Sequence, residues 1–196
     1  MSAPHPRTTH PGPLRQRPPK IGPIGLLAVG EMPAEIMKVL GEGAAAAIGG
    51  PFEILPERLD PAFAFHAERG QYHATEILVR VRALLHPGAW RLLAVAGVDL
   101  YIPILTFVFG EAQMGGPCAI ISGHRLRQEF YGLPAAPDLF RERLLKEAVH
   151  ELGHTCGLTH CESYRCVMSA SHSVERIDLK EALPCPDCAA RVMAAC

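Results

Sequence analysis

Eleven residues constrain this chain more than any others: His150-Glu151-Leu152-Gly153-His154-Thr155-Cys156-Gly157-Leu158-Thr159-His160, an HExxHxxGxxH pattern. In a helix, residues four apart lie on one face, about one turn from each other. His150 and His154 can therefore aim at a single metal ion, with Glu151 displaced to the side, next to a metal-bound water. Gly157 tolerates a positive φ without a Cβ penalty, so the helix can end there and the chain fold back. That reversal brings in His160 as a third ligand. Three neutral imidazoles hold zinc tetrahedrally and leave the fourth position for water, which marks a catalytic rather than a structural centre. The plainer alternative is a noncatalytic zinc that pins the helix to the segment after it. That role requires neither Glu151 nor an open coordination position.

Seven cysteines need an explanation of their own. The first twenty residues hold six prolines, four basic residues and no acidic one, without the continuous apolar stretch of a signal peptide. A cytoplasmic location is therefore expected, where disulfides are rare. Cys161, Cys166, Cys185 and Cys188 crowd into 28 residues just after the histidines, and the last two form a CxxC pair. Two such pairs across a moderate loop read as a tetrahedral thiolate zinc site. Disulfides or buried free thiols are the alternative. Cys118 and Cys156 are expected to be small buried hydrophobes, and Cys196 an exposed terminal residue. A formal net charge of −1 offers no attraction to nucleic acid or anionic membrane. The cysteine segment itself has Arg165, Arg176 and Lys180 against Glu162, Glu175, Asp178, Glu181 and Asp187, which argues against phosphate contacts. No apolar run reaches the roughly 18 residues of a membrane span.

Three parts are expected: a flexible Pro-rich tail over 1–20, an N-terminal α/β part over 21–157, and a C-terminal part over 158–196. Apolar runs predict strands at 24–30, 51–55, 91–97, 104–109 and 118–122, the last near a sheet edge. Helical spacing predicts helices over 33–47 and 73–85. Asp138, after Pro137, caps a third helix that carries the histidines near its C-terminal end. Strands alternating with helices argue for an α/β layer with a mainly parallel sheet. Past His160 a helical turn is expected over 178–183 and a short helix over 189–193. A part of about 40 residues buries little apolar surface alone, so a structural zinc would supply folding energy.

The continuation of the motif is more specific still. His160-Cys161, Cys166-Val167-Met168 and Cys185-Pro186-Asp187-Cys188, with the stretches 100–112 (LYIPILTFVFGEA) and 119–132 (AIISGHRLRQEFYG), resemble the archaemetzincin family of metzincin zinc peptidases. The resemblance covers most of 24–190. It implies a metzincin-like α/β fold: a mainly parallel twisted sheet with an edge strand and packed helices, plus a small zinc-stabilised C-terminal part. It also implies two zinc ions per chain. The catalytic one would sit on His150, His154 and His160 with Glu151 as general base, and the structural one on Cys161, Cys166, Cys185 and Cys188. Met168 would lie in a turn beneath the catalytic metal, as an apolar floor. Sixteen residues separate Met168 from Cys185, one fewer than in the family pattern, a loop change that thiolate geometry tolerates.

The expected activity is hydrolysis of peptides or unfolded polypeptide by a monomer, with neither nucleic acid nor membrane as a partner. The alternative is a catalytically weak or inactive zinc-stabilised peptide-binding module on the same scaffold. By resemblance, an extended substrate pairs with the edge strand, expected at 118–122, although that segment also reads as a plain core strand. Tyr164 is expected to pack rather than to reach an oxyanion. His124 and His172 are expected at the surface.

Overall fold

The computed structural model describes residues 22–195; the expected tail and Cys196 lie outside them. A five-stranded sheet forms the centre, built from β1 (Ile24–Val29), β2 (Phe52–Leu59), β5 (Arg91–Ala96), β7 (Gly110–Ala112) and β8 (Cys118–Ser122) in the order β2-β1-β5-β8-β7. β2, β1, β5 and β8 run parallel, and β7 closes one edge antiparallel to β8. A small second sheet joins β3 (Phe65–His66), β4 (Gln71–His73) and β6 (Leu100–Tyr101). The mainly parallel α/β architecture is the one expected.

β1, β5 and β8 are almost wholly apolar because both faces are covered, and alternate residues feed opposite cores. Leu26 of β1, Leu93 and Val95 of β5, and Ala119 and Ile121 of β8 face one cluster. Leu27, Leu92, Ala94, Cys118 and Ile120 face the other. The first cluster is closed by α1 (Ala34–Ile48) and α3 (Pro137–Thr155), and the second by α2 (Ala74–Ala83). After α3 the chain forms α4 (Val174–Asp178) and α5 (Pro186–Ala195). Val167, Met168, Val174, Ile177 and Val192 of this last segment are buried in the same cluster as Leu144, Ala148, Val149 and Leu152 of α3. The end of the chain thus packs directly on the helix that carries the histidines.

Several expectations are corrected. No strand forms over 104–109: bends and turns run from Pro103, a single bridge pairs Val108 with Leu100, and Ile104 is 86% exposed. The run is apolar because it borders a cleft, not because it enters the core. Cys118–Ser122 is not at the edge either; it is wholly buried between β5 and β7. β2 continues past Pro56 to Leu59, since an outer strand can skip a ladder bond at proline, and its register against β1 shifts there. Pro137 takes the first position of α3 after Ala136, so Asp138 lies within the first turn and pairs with Arg141. The helical turn of the C-terminal part spans Val174–Asp178, not 178–183: Val174 and Ile177 are buried, whereas Leu179 and Leu183 are exposed.

Gly41 lets α1 lie directly on the Phe52 ring of β2, in space that a Cβ would share with the ring. Gly41→Ala gains about 1 kcal/mol of helix propensity but overpacks this junction. We expect a net loss of about 1–2 kcal/mol, read from the urea midpoint at unchanged slope.

Candidate active site

α3 ends in a turn that sets the site. Gly157 has φ 81°, its N–H donates to the His154 carbonyl at 2.9 Å, and the Leu158 N–H donates to the Gly153 carbonyl at 3.1 Å. These are the two bonds of a Schellman closure. Leu158 is then buried, and the chain returns along the helix to place His160 beside His150 and His154. One ligand nitrogen from each of the three rings lies within 4.8 Å of the others.

The tautomers are set for metal binding. His150 Nδ1–H donates to the Val167 carbonyl at 2.8 Å and His154 Nδ1–H to the Leu158 carbonyl at 2.6 Å. Each ring therefore presents Nε2 as a lone pair, and the two Nε2 atoms lie 3.1 Å apart. Burial lowers the proton affinity of all three imidazoles. For His150, where the fall is large, the charges of Lys180 and His154 add to it. Neutral nitrogens converging on one point fit a divalent ion such as zinc.

Glu151 is buried beside them, and burial pushes its carboxyl well above the usual range. Glu147 and Glu111 raise it further and Lys180 opposes. A Cβ on Gly110 of β7 would stand 2.7 Å from Glu151 Cγ, so the strand passes directly over the carboxylate stem. Met168 is fully buried with its sulfur against Gly153, on the helix segment between the first two histidines. The four cysteines Cys161, Cys166, Cys185 and Cys188 also converge, with Cys161 Sγ 3.9 Å from Cys185 Sγ and the Cys185 N–H donating to Cys166 Sγ at 3.2 Å. Burial raises the Cys166 and Cys188 thiols, while the Cys188 N–H pulls Cys185 down. A soft cation shared by all four sulfurs would relieve the buried thiols.

The three histidines and Glu151 border a cleft of about 360 Å³. Its walls are the 105–109 stretch, β7, the His150–His154 face of α3 with Glu147, and Ala170-Ser171-His172. Sequence reasoning missed Gly110, Glu111 and Glu147 here, and also Lys180, whose Nζ lies 3.6 Å from Glu147 Oε1. Glu147 stands four residues before Glu151, a helical spacing that could have flagged it. Lys180 gives no such signal. His172 is exposed as expected but rims the cleft. His124 stacks edge-on against Phe130, and Tyr164 is 60% exposed and outside the cleft lining, so it neither packs as expected nor faces the site.

Residues 64–194 match the sequence model of Peptidase family M54. The archaemetzincin of Methanocaldococcus jannaschii is 44% identical over 165 residues, which is 84% of this chain and 89% of that protein. The chain belongs to peptidase family M54, the archaemetzincins. By that membership it is a zinc metallopeptidase. The crystal structure of the archaemetzincin from Methanopyrus kandleri superposes with a TM-score of 0.76 at 34% identity, over 88% of this chain and 95% of that one. The zinc-dependent peptidase of Methanocorpusculum labreanum gives 0.78 at 28% identity, over 86% and 99%. The M54 fold therefore extends over nearly all the described residues. None of the described helices is long and apolar enough to cross a membrane.

The raised Glu151 carboxyl has a consequence for the metal-free protein. Unfolded, the group titrates near 4.5; folded, it holds its proton to higher pH. Its contribution is therefore full below about pH 4.5 and is lost as pH rises through the folded value. Glu151→Gln removes that loss. In chelator we expect the variant to be more stable than the parent at about pH 7, with the difference gone at about pH 4. Urea denaturation at the two pH values checks this.

Proposed function

We propose that the chain hydrolyses peptide bonds with His150, His154 and His160 as ligands of a catalytic zinc and Glu151 as general base. Cys161, Cys166, Cys185 and Cys188 hold a second, structural zinc, and Met168 is the apolar floor under the first. The convergence of three neutral imidazoles beside a buried, unpaired carboxylate, all facing one cleft, carries this reading. Zinc held there supplies Lewis-acid polarisation of a carbonyl and a water of lowered pKa.

The protein's own groups do the rest. The Val167 and Leu158 carbonyls fix two rings through their Nδ1–H groups, so neither imidazole has to turn to bind. Glu151 accepts a proton from water as its oxygen attacks the scissile carbonyl, and returns the proton to the departing amine. Burial raises the proton affinity of the carboxylate, which favours that transfer. β7 offers the substrate backbone: its three residues pair with β8 on one side, and Gly110, Glu111 and Ala112 line the cleft. An extended peptide adds to this edge as a further strand. Cys118–Ser122, interior to the sheet, does not serve. The substrate is a peptide or an unfolded segment, and the acting unit is a cytoplasmic monomer.

Glu151→Gln should retain both zinc ions by elemental analysis and lose hydrolysis of a peptide library by a factor of about 10²–10⁴. Unchanged turnover would overturn the mechanism, and turnover absent from the parent as well would leave a peptide-binding module on the same scaffold. A second prediction concerns the thiolates. The Cys161 N–H donates to the Met168 carbonyl at 2.9 Å, so the cysteine cluster grips the strap that ends in His160. Cys185→Ser/Cys188→Ser should lose one zinc and lower hydrolysis about 10–100-fold, the usual effect of disturbing what supports a metal ligand. Full activity with one zinc would show the two sites to be independent.

A further inference from the structure

Three of the five buried side-chain N/O atoms without a hydrogen-bond partner among the described residues belong to groups the mechanism does not use: Glu147 Oε1, Lys180 Nζ and Ser171 Oγ. Glu147 and Ser171 both line the active-site cleft, one on α3 and one on the segment after Met168. Lys180 is not part of that lining. Its side chain is 1% exposed and that of Glu147 4%.

A structural ion pair between α3 and the end of α4 is the plain explanation, but the geometry fits it poorly. At 3.6 Å the ammonium attracts the Glu147 carboxylate by charge, against the burial that disfavours its ionisation, and is too far for a hydrogen bond. The docking of α4 on α3 is already made one turn earlier, where Arg143 meets Asp178 in two bonds of 2.7 and 2.6 Å. A buried carboxylate oxygen that no donor meets is costly. Ser171, which lines the same cleft, leaves a second buried oxygen, Oγ, without a partner. Leu105, Phe107, Val108 and Phe109 supply apolar wall for a methylene stem, and Glu111 adds a carboxylate on the β7 wall.

We propose that Glu147 and Ser171 form the end of a substrate side-chain subsite that selects lysine or arginine. The cation donates to Glu147 Oε1 and Ser171 Oγ while its stem lies along the 105–109 wall. A neutral side chain of the same length fills the walls but leaves the carboxylate unmet. A charged donor on a charged acceptor makes the stronger bond, so selectivity follows charge rather than length. Glu147 is here a specificity residue, separate from the proton transfers at Glu151.

The inference rests on the peptidase reading for its site but can be tested without turnover. Zinc-loaded full-length Glu151→Gln protein would be titrated with peptides in which one lysine moves along an alanine background. Matched peptides would carry norleucine, which has a lysine-like stem and no ammonium. At one position lysine should bind about tenfold tighter than norleucine, the effect of one charge-assisted hydrogen bond. Adding Glu147→Gln should bring the ratio to within about twofold, and adding Ser171→Ala should reduce it part-way. Norleucine binding as tightly as lysine at every position would overturn the proposal. A preference that survives Glu147→Gln would do the same. If Glu147→Gln does not bind zinc, the lysine-to-norleucine ratio with and without Ser171→Ala decides alone. Hydrolysis of the same peptides by the parent protein separates the two readings: a lysine preference in binding without cleavage would refute the peptidase mechanism and leave the subsite standing.

Discussion

The closure of α3 at Gly157 is the constraint on which the rest of the site depends. A helix can present His150 and His154 on its own, but a third ligand must come from chain that has already left it. With φ at 81°, Gly157 folds that chain back within one residue, and the two reverse hydrogen bonds satisfy carbonyls that a helix end otherwise leaves open. One of those bonds comes from Leu158, whose carbonyl accepts from His154 Nδ1–H. The same two-residue turn therefore ends the helix, orients His154 and aims His160. Cys161 follows His160 at once, and its N–H donates to the Met168 carbonyl. A displacement of the turn would move the histidine cluster, the cysteine cluster and Met168 together.

What this turn makes possible is costly elsewhere. α3 buries Arg143, Lys146, Glu147, His150, Glu151 and His154 in succession. Few helices carry so many ionisable groups out of water, because each must be paired or lose its charge. Arg143 is paired with Asp178 and Lys146 with Glu142, and the histidines are held neutral with one nitrogen each bonded to a carbonyl. Glu147 meets Lys180 only by charge, and Glu151 meets nothing of opposite sign at close range among the described residues. The groups left incompletely satisfied are those that face the cleft. Packing is thus closed where the helix meets the core and left open where it meets the cleft.

That pattern also explains what the sequence disclosed. The histidine cluster was legible because its spacing is local: His150, Glu151, His154, Gly157 and His160 fall within eleven residues, and helix geometry does the rest. The buried strands at Ile24–Val29 and Arg91–Ala96 were legible as unbroken apolar runs. The 104–109 run looked the same and was read as a strand, since an apolar cleft wall and an apolar core strand share one composition. Cys118–Ser122 was placed at the edge because sheet order is not written in any one segment. Only the hairpin with Gly110–Ala112 moves it inward. Lys180 could not be found at all. It reaches Glu147 across a separation of 33 residues through tertiary packing, and an isolated lysine in an acidic stretch reads as a solvated charge.

The correction at the sheet edge bears on catalysis. An edge strand at Cys118–Ser122 would have stood one strand further from the histidines, with no contact to the base. Gly110 instead lies so close to Glu151 that any side chain there would meet Cγ at 2.7 Å and Oε1 at 2.8 Å, and the Ile120 carbonyl behind it at 2.8 Å. The strand that would pair with substrate and the carboxylate that would take the proton are therefore in van der Waals contact. A peptide added to β7 inherits its distance from Glu151 through one residue without a Cβ. Proton transfer is sensitive to misplacement of a fraction of an ångström. Here that distance is set by close packing, which resists change, rather than by a loop that must close.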